Sequence, residues 1–449
     1  MRVNARPVKS LLLAVAASLG CSVVGAQQSG AALTATPTAL QQRGLSLVDA
    51  AEAQIIEWRR HLHQHPELSY EEKRTAAYVA EALARMPGIE VHSGIAKTGI
   101  KAVLRGGKPG PVVALRADMD ALPVLERNEL PFRSTVKALW QDQETPVSHA
   151  CGHDAHVAML LGAARALSQL RAELPGTVVF LFQPAEEWGP GPVASGAKAM
   201  VQAGVLENPR VDVVMGQHIN ARAPSGAIGY RSGAIMASGD VFQISLQGKG
   251  GHGSSPWTAK SPTLAAAEIA LALQNIVSHQ VDPLDGTTVV TVGKLQSGNR
   301  VNILPETAEI GGTIRSLSAA NQKIAHDNLR LKAEKIAESA GVRAEVRIDT
   351  GYEVLVSDPK VTAAVLPALS LAAGPDKLLE IRPLMGSEDF GSFGSSGIPV
   401  VFWMLRASPF ADQDGAPNHS PEFAIDEKAL KVGARALVTS SLAFMSQPR

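Results

Sequence analysis

The chain has 449 residues, 45% of them hydrophobic, with 42 Lys and Arg against 42 Asp and Glu. That length predicts two domains with sizeable cores, and the balanced charge excludes a nucleic-acid footprint or a polybasic membrane patch.

Residues 1–26 carry Arg2, Arg6 and Lys9, no acid, an apolar run over 11–19 and a small-residue site at Val24-Gly25-Ala26, the pattern of an export signal. The apolar run is shorter than the roughly 20 residues of a membrane span. The mature protein is therefore expected to lack a transmembrane span and to be periplasmic or secreted. Ser18-Leu19-Gly20-Cys21 also resembles a lipoprotein cleavage site, with serine where leucine is usual, so a lipid anchor on Cys21 is the alternative. Either way Cys151 is left without a partner for an intrachain disulfide, and metal ligation explains a lone thiol in an oxidising compartment.

Residues 27–43 are rich in Ala, Thr and Gln and read as a linker. Helical spacing follows over 47–60, then the alternating His61, His63 and His65 before Pro66, which read as structural hydrogen-bonding groups in preference to metal ligands. A second helix is predicted over 70–86. The apolar strand 112–115 runs into Asp118 and Asp120, where open α/β sheets place their sites. A strand over 177–182 runs into Glu186 and Glu187, and one over 211–215 delivers His218. Between them lies Ser148-His149-Ala150-Cys151-Gly152-His153-Asp154-Ala155-His156, at the start of a helix over 155–172.

From about residue 237 the rhythm becomes strand 240–247, helix 262–279, strands 287–295 and 306–315, helix 319–340 and strand 343–348. This βαββαβ order is that of a ferredoxin-like α+β unit inserted into an α/β domain. A helix over 358–373, a strand over 399–405 and a helix over 426–443 complete the chain.

The nine positions 148–156 hold one thiol, three imidazoles and a carboxylate, soft and borderline ligands beside a group that orients an imidazole. Glu186 and Glu187 cannot point the same way at a strand end. One can therefore hold a metal while the other faces substrate as a general base, on a loop shaped by Trp188 and the glycines after it. His218 gains weight as a ligand from its strand-end position, and His419 lies on the proline-bounded loop Pro417-Asn418-His419-Ser420-Pro421. The glycine-rich stretch around His252 does not fit a phosphate loop. It fits either an oxyanion donor on a mobile domain or a plain surface turn.

Together, Arg59-Arg60-His61-Leu62-His63-Gln64-His65-Pro66-Glu67, Arg116-Ala117-Asp118-Met119-Asp120, His149-Ala150-Cys151-Gly152-His153-Asp154, Gln183-Pro184-Ala185-Glu186-Glu187, Gly250-Gly251-His252, Val301-Asn302-Ile303-Leu304-Pro305, Gly386-Ser387-Glu388-Asp389-Phe390 and Asn418-His419-Ser420-Pro421 resemble the metal-dependent amidohydrolases. That family includes hippurate hydrolases, N-acyl-amino-acid deacylases and indole-acetyl-amino-acid hydrolases. The resemblance runs from about residue 47 to the C-terminus. It implies a zinc-peptidase-like catalytic domain in two parts, 44–236 and 350–449, with 237–349 as a lid that also forms a homodimer.

By the same resemblance, two divalent metal ions per subunit (zinc, or manganese, cobalt or nickel) sit on Cys151, His153, Glu187, His218 and His419. Glu186 is the general base and His252 stabilises the oxyanion, across the dimer. Asn302 with Gly386 and Ser387 holds the substrate carboxylate, and Asp120 supports a ligand without binding metal. More distant relatives carry His-x-Asp at Asp118-Met119-Asp120, so Asp118 is not assigned as a ligand. The expected activity is hydrolysis of N-acyl amino acids. The rivals are a dipeptidase or carboxypeptidase with the same machinery and an exported binding lipoprotein without turnover.

Overall fold

The unalternated apolar strands form the middle of a sheet buried on both faces, as such sequences require. In this computed structural model, which describes residues 36–187, 194–411 and 413–447, strands Pro175–Gln183, Lys108–Asp118, Val213–Pro224 and Val400–Ser408 are parallel neighbours in that order. Ile89–Ile95 and Gly99–Arg105 extend one edge, Ile228–Tyr230 and Leu378–Glu380 the other, giving eight strands. The export signal, Cys21 and the Trp188 loop lie outside the described residues. No helix of the described residues is long and apolar enough to cross a membrane.

Six helices (Ala39–Ala50, Glu52–Gln64, Lys73–Ala84, His153–Gln169, Pro359–Ala373 and Lys428–Met445) share one hydrophobic core with a face of the sheet. The short helix Gly196–Gln202 and the turn Asp389–Gly394 cover the other face. His153–Gln169 is apolar on nearly every side and correspondingly buried between the sheet and its neighbouring helices.

Gly239–Gln247, Thr288–Ser297, Thr307–Ser316 and Arg343–Tyr352 make a separate antiparallel sheet, ordered Thr288–Ser297, Thr307–Ser316, Gly239–Gln247, Arg343–Tyr352. Helices Pro262–His279 and Ala319–Ser339 pack on it through a core of their own. Alternate strand residues Phe242, Ile244 and Leu246 meet Ile269, Leu273 and Leu329 there.

Three expectations are corrected. The stretch read as a linker to residue 43 is helical from Ala39, because Thr38 and Gln41 form a reciprocal capping box. Thr38 Oγ1 accepts from the Gln41 N–H at 3.2 Å, and Gln41 Oε1 accepts from the Thr38 N–H at 3.0 Å. The helix expected over 47–60 is two helices divided at Ala51. The helix expected from residue 70 starts at Lys73, since Tyr70 is left-handed at φ 64.

Candidate active site

The strand order reverses beside Lys108–Asp118, with Pro175–Gln183 on one side and Val213–Pro224 on the other. The carboxyl ends of strands around such a switch point leave a crevice, and here they deliver Asp118, Gln183 and the acid pair. His218 is not past a strand end, as the sequence implied. Its strand pairs with Lys108–Asp118 only as far as Gly216, yet continues beside Val400–Ser408, with His218 opposite Met404. The imidazole emerges where one neighbour has stopped.

Cys151 and His153 flank Gly152, whose φ of 92 reverses the chain at the start of a helix. A Cβ there would fall 2.3 Å from Ile219 Cγ2, so only glycine fits. Cys151 Sγ lies 3.4 Å from His218 Nε2 and 3.3 Å from His419 Nε2. His419 Nε2 is 2.8 Å from Glu187 Oε1, on a loop where His419 itself is left-handed at φ 70 and donates its N–H to Ala150 O. Cys151, His153 and His218 form one triad of potential ligand atoms within 4.8 Å of one another, and Cys151, Glu187 and His419 form a second. Cys151 belongs to both.

The tautomers suit ligation. His218 Nδ1 donates to Ile219 O at 2.7 Å, leaving its Nε2 lone pair facing the crevice, and His153 Nδ1 donates to Asp120 O at 2.8 Å. Against the opposing effect of burial, Asp118, Asp120 and Glu187 raise His153 to about 10, so a cation binding at its Nε2 would displace a proton. His153 Nε2 is buried with no hydrogen-bond partner. Burial and the neighbouring His156 push His218 well below the usual imidazole range, so it stays neutral. Burial, then Glu187 and Glu186, push the Cys151 thiol well up. Burial and the carboxylates of Glu388, Glu187 and Asp389 do the same for Glu186. A buried thiol, two acids and an orphaned imidazole nitrogen fit a divalent cation, whose binding would release protons from this set.

His156 and Asp118, which also lie close, are already committed. His156 Nε2 accepts the Ile219 N–H at 2.8 Å, so its Nδ1 donates to Asp118 Oδ1 at 2.5 Å. Asp118 Oδ2 takes the Arg116 guanidinium at 2.9 Å. Asp120 holds the acid turn, its two oxygens each accepting at 3.0 Å from the N–H groups of Glu186 and Glu187. His63 is the structural group the sequence suggested, 2.8 Å from Asp154 and 3.0 Å from Glu126.

A cavity of about 580 Å³ opens above the two triads. Gly386 and Ser387 line it, as does Arg315, which sequence patterning did not single out. The Arg315 guanidinium donates to Met385 O at 3.1 Å and Ser387 Oγ at 2.8 Å, and no described carboxylate pairs with it. His252 and Asn302 stand elsewhere, joined through the Gly253 N–H to Asn302 O bond at 2.9 Å and exposed. The Ser254 N–H donates to His252 Nδ1 at 3.1 Å, so the proton of the neutral ring sits on Nε2, free to donate outward.

Comparison with known proteins agrees with this chemistry. Residues 114–442 match peptidase family M20/M25/M40. The chain is 40% identical to thermostable carboxypeptidase 2 of Saccharolobus solfataricus, over 89% of this chain and 98% of that one. It is 42% identical to an N-acyl-L-amino acid amidohydrolase of Geobacillus stearothermophilus, over 69% and 80%. The crystal structure of a dinuclear metal-binding M20 peptidase of Bacillus subtilis superposes with a TM-score of 0.73 at 34% identity, covering 88% of this chain and 99% of that one. The chain belongs to the M20/M25/M40 peptidase family, as the motif resemblance implied, and is a hydrolase of amide bonds.

One buried imidazole beside the site yields a test of stability. Neither ring nitrogen of His149 has a hydrogen-bond partner, and burial, only partly offset by Asp154, lowers it to about 4. The unfolded chain takes up this proton near pH 6.5 and the folded chain does not, so stability is complete above about pH 6.5 and falls as pH drops towards 4, by on the order of 3 kcal/mol. Urea denaturation across that window should show the loss in the wild type and a shallower slope in His149→Phe. Parallel curves would assign the acid sensitivity to other groups.

Proposed function

We propose that the protein hydrolyses the amide bond of N-acyl amino acids to a carboxylic acid and a free amino acid, using two divalent ions per subunit, zinc or else manganese, cobalt or nickel. The observation that carries this reading is the pair of donor triads sharing Cys151, next to Glu186, below a cavity whose wall offers the Arg315 cation. In this reading Cys151, His153, Glu187, His218 and His419 would hold the ions. The ions supply Lewis acidity and lower the pKa of water. Glu186 takes up a proton from the attacking water and returns it to the leaving nitrogen, work suited to a carboxyl whose proton affinity is raised. Arg315, with the Gly386-Ser387 turn beside it, meets the substrate carboxylate.

A dipeptidase or carboxypeptidase reading uses the same groups and draws on the Saccharolobus relative. Against a dipeptidase, the N-acyl reading is favoured by the rest of the wall. Met236, Leu384, Met385 and Met404 offer apolar surface, and the Asp240 carboxylate is engaged by Gln322 and His326. Neither feature meets a free α-ammonium.

We also assign 237–349 as an inserted lid through which two copies pair. Supporting this are the exposed Leu264 and Leu271 on helix Pro262–His279 and the exposed Val289 and Leu295 on the edge strand Thr288–Ser297. His252 and Asn302 are absent from the lining of their own chain's cavity, which favours their serving the partner's site.

Glu186→Gln should keep metal content and lose turnover by a factor of about a hundred or more, while Glu187→Gln should weaken metal affinity in a chelator competition. The opposite pairing of phenotypes would reverse the two roles. Amidating the substrate carboxylate, or Arg315→Ala, should each cost roughly ten- to a hundred-fold in kcat/KM, the worth of a charged hydrogen bond. Their combination should cost little more than either alone, and fully multiplicative losses would separate Arg315 from the carboxylate. For the dimer, His252→Ala should lower turnover by about a hundred-fold or more with metal retained. Mixing those chains with Glu186→Gln chains should restore activity, because each mixed pair has one intact site. Verified subunit exchange without recovery would rule out a shared site.

A further inference from the structure

The turn carrying the acid pair presents three successive backbone N–H groups, those of Ala185, Glu186 and Glu187. Asp120 accepts the second and third. The first goes to a carboxylate that no motif above contains: Ala185 N–H donates to Glu72 Oε1 at 2.9 Å. Glu72 is fully buried. Its Oε1 also accepts the Tyr70 N–H at 2.9 Å, and its Oε2 accepts the Thr98 hydroxyl at 2.6 Å.

Glu72 stands at the start of helix Lys73–Ala84, yet its side chain caps none of the helix N–H groups. A buried carboxylate is costly to retain without a purpose, and its bonds run to two left-handed residues. Tyr70 has φ 64 and Ala185 φ 46, a conformation strained for any residue with a Cβ. The other end of Ala185 is held as well, since its C=O accepts the Gly196 N–H at 2.9 Å. Gly196 approaches so closely that a Cβ there would fall 1.5 Å from Pro184 O. Ala185 is thus gripped on both sides immediately before Glu186.

We infer that Glu72 is a positioning residue for the hydrolytic reaction: by holding Ala185 in its left-handed conformation it aims Glu186 at the substrate and Glu187 at the ligand cluster. The inference rests on the roles proposed above for the acid pair. A residue that aims others is expected to act on kcat and leave KM nearly unchanged, because Arg315 and the cavity wall are untouched. It is also expected to act through geometry, so an amide that preserves the acceptor should serve. In Glu72→Gln the side-chain oxygen still faces the two N–H groups, and the amide nitrogen can donate to Thr98 Oγ1.

The test is hydrogen exchange by mass spectrometry on the full-length protein, following the peptide over 181–187, together with steady-state kinetics on an N-acyl amino acid. Glu72→Ala should accelerate exchange in that peptide by roughly five-fold or more, as expected when a buried N–H loses its acceptor. It should lower kcat by about a hundred-fold, the typical cost of a catalytic group misplaced by an ångström, with KM nearly constant. Glu72→Gln should restore both. A folded Glu72→Ala protein with wild-type exchange overturns the proposal, as does a Glu72→Gln protein as impaired as the alanine variant. Should Glu72→Ala not fold, Thr98→Val, which frees only Oε2, should still accelerate the same peptide, and unchanged exchange there is equally fatal. Exchange is read without substrate, so accelerated exchange alongside an unimpaired Glu186→Gln enzyme would retire the reading of the acid pair and leave the clamp standing.

Discussion

The architecture depends on how a buried crevice accommodates five carboxyl groups around one guanidinium. Asp118, Asp120, Glu186, Glu388 and Asp389 are all buried around the carboxyl end of strand Lys108–Asp118. Facing them is the Arg116 guanidinium, also buried, which bonds Asp118 at 2.9 Å, Glu388 at 2.9 Å and Asp389 at 3.1 Å, with Gln183 at 2.8 Å closing the fork. Each unpaired charge at such depth costs several kcal/mol, so this one cation ties the strand end to the Asp389–Gly394 wall. It holds Asp118 well below the usual carboxylate range against the opposing effect of burial, with His153 and His156 adding to it. Arg116 reaches neither Glu187 nor Cys151. What stays uncommitted is the part of the crevice where both donor triads lie, and there burial holds protons on the Cys151 thiol and the Glu186 carboxyl that a pair of divalent ions would displace.

Much of this was legible in the sequence because its signals are local. Continuous apolar runs marked the buried parallel strands, the alternation around residues 240–247 marked the second sheet, and the thiol and imidazoles about Gly152 marked the crevice. The failures were non-local or concerned left-handed backbone. Ala39–Ala50 was hidden by its Ala/Gln composition, although Thr38-Ala39-Leu40-Gln41 carried the capping-box signature that would have revealed it. Tyr70 and Ala185 adopt positive φ without being glycine, which no propensity anticipates. Glu72 reads as one more surface acid beside Glu71 until the fold brings Thr98 and Ala185 to it across 26 and 113 residues of sequence. Arg315 occupies an ordinary strand position, and only the approach of Met385 and Ser387 reveals that it faces a cavity.

The site is assembled from both sheets, and this constrains how it can work. The ligand triads and the acid turn are fixed to the large sheet and its helices. Arg315 and Thr313, by contrast, belong to the smaller sheet, as do Asp240 and Val241 at its first strand. A substrate whose carboxylate meets Arg315 while its amide lies over Cys151 and Glu186 must touch both sheets. In the proposed reading, recognition and chemistry are therefore coupled through the relative placement of the two sheets.

A single bond shows where that coupling enters the chemistry. The acid turn gives its N–H groups to Glu72 and Asp120 on the large-sheet side, whereas the Glu186 carbonyl accepts from the Tyr352 hydroxyl at the end of strand Arg343–Tyr352. The backbone of the proposed base is thus held from one side by fixed carboxylates and from the other by the unit that carries Arg315. The smaller sheet contacts the Glu186 peptide itself as well as supplying the Arg315 wall of the cavity. Glu72 and Asp120 hold that peptide from the large-sheet side. The acid pair is thus braced by two buried carboxylates on one side and the Tyr352 hydroxyl on the other, so its aim does not rest on a single contact.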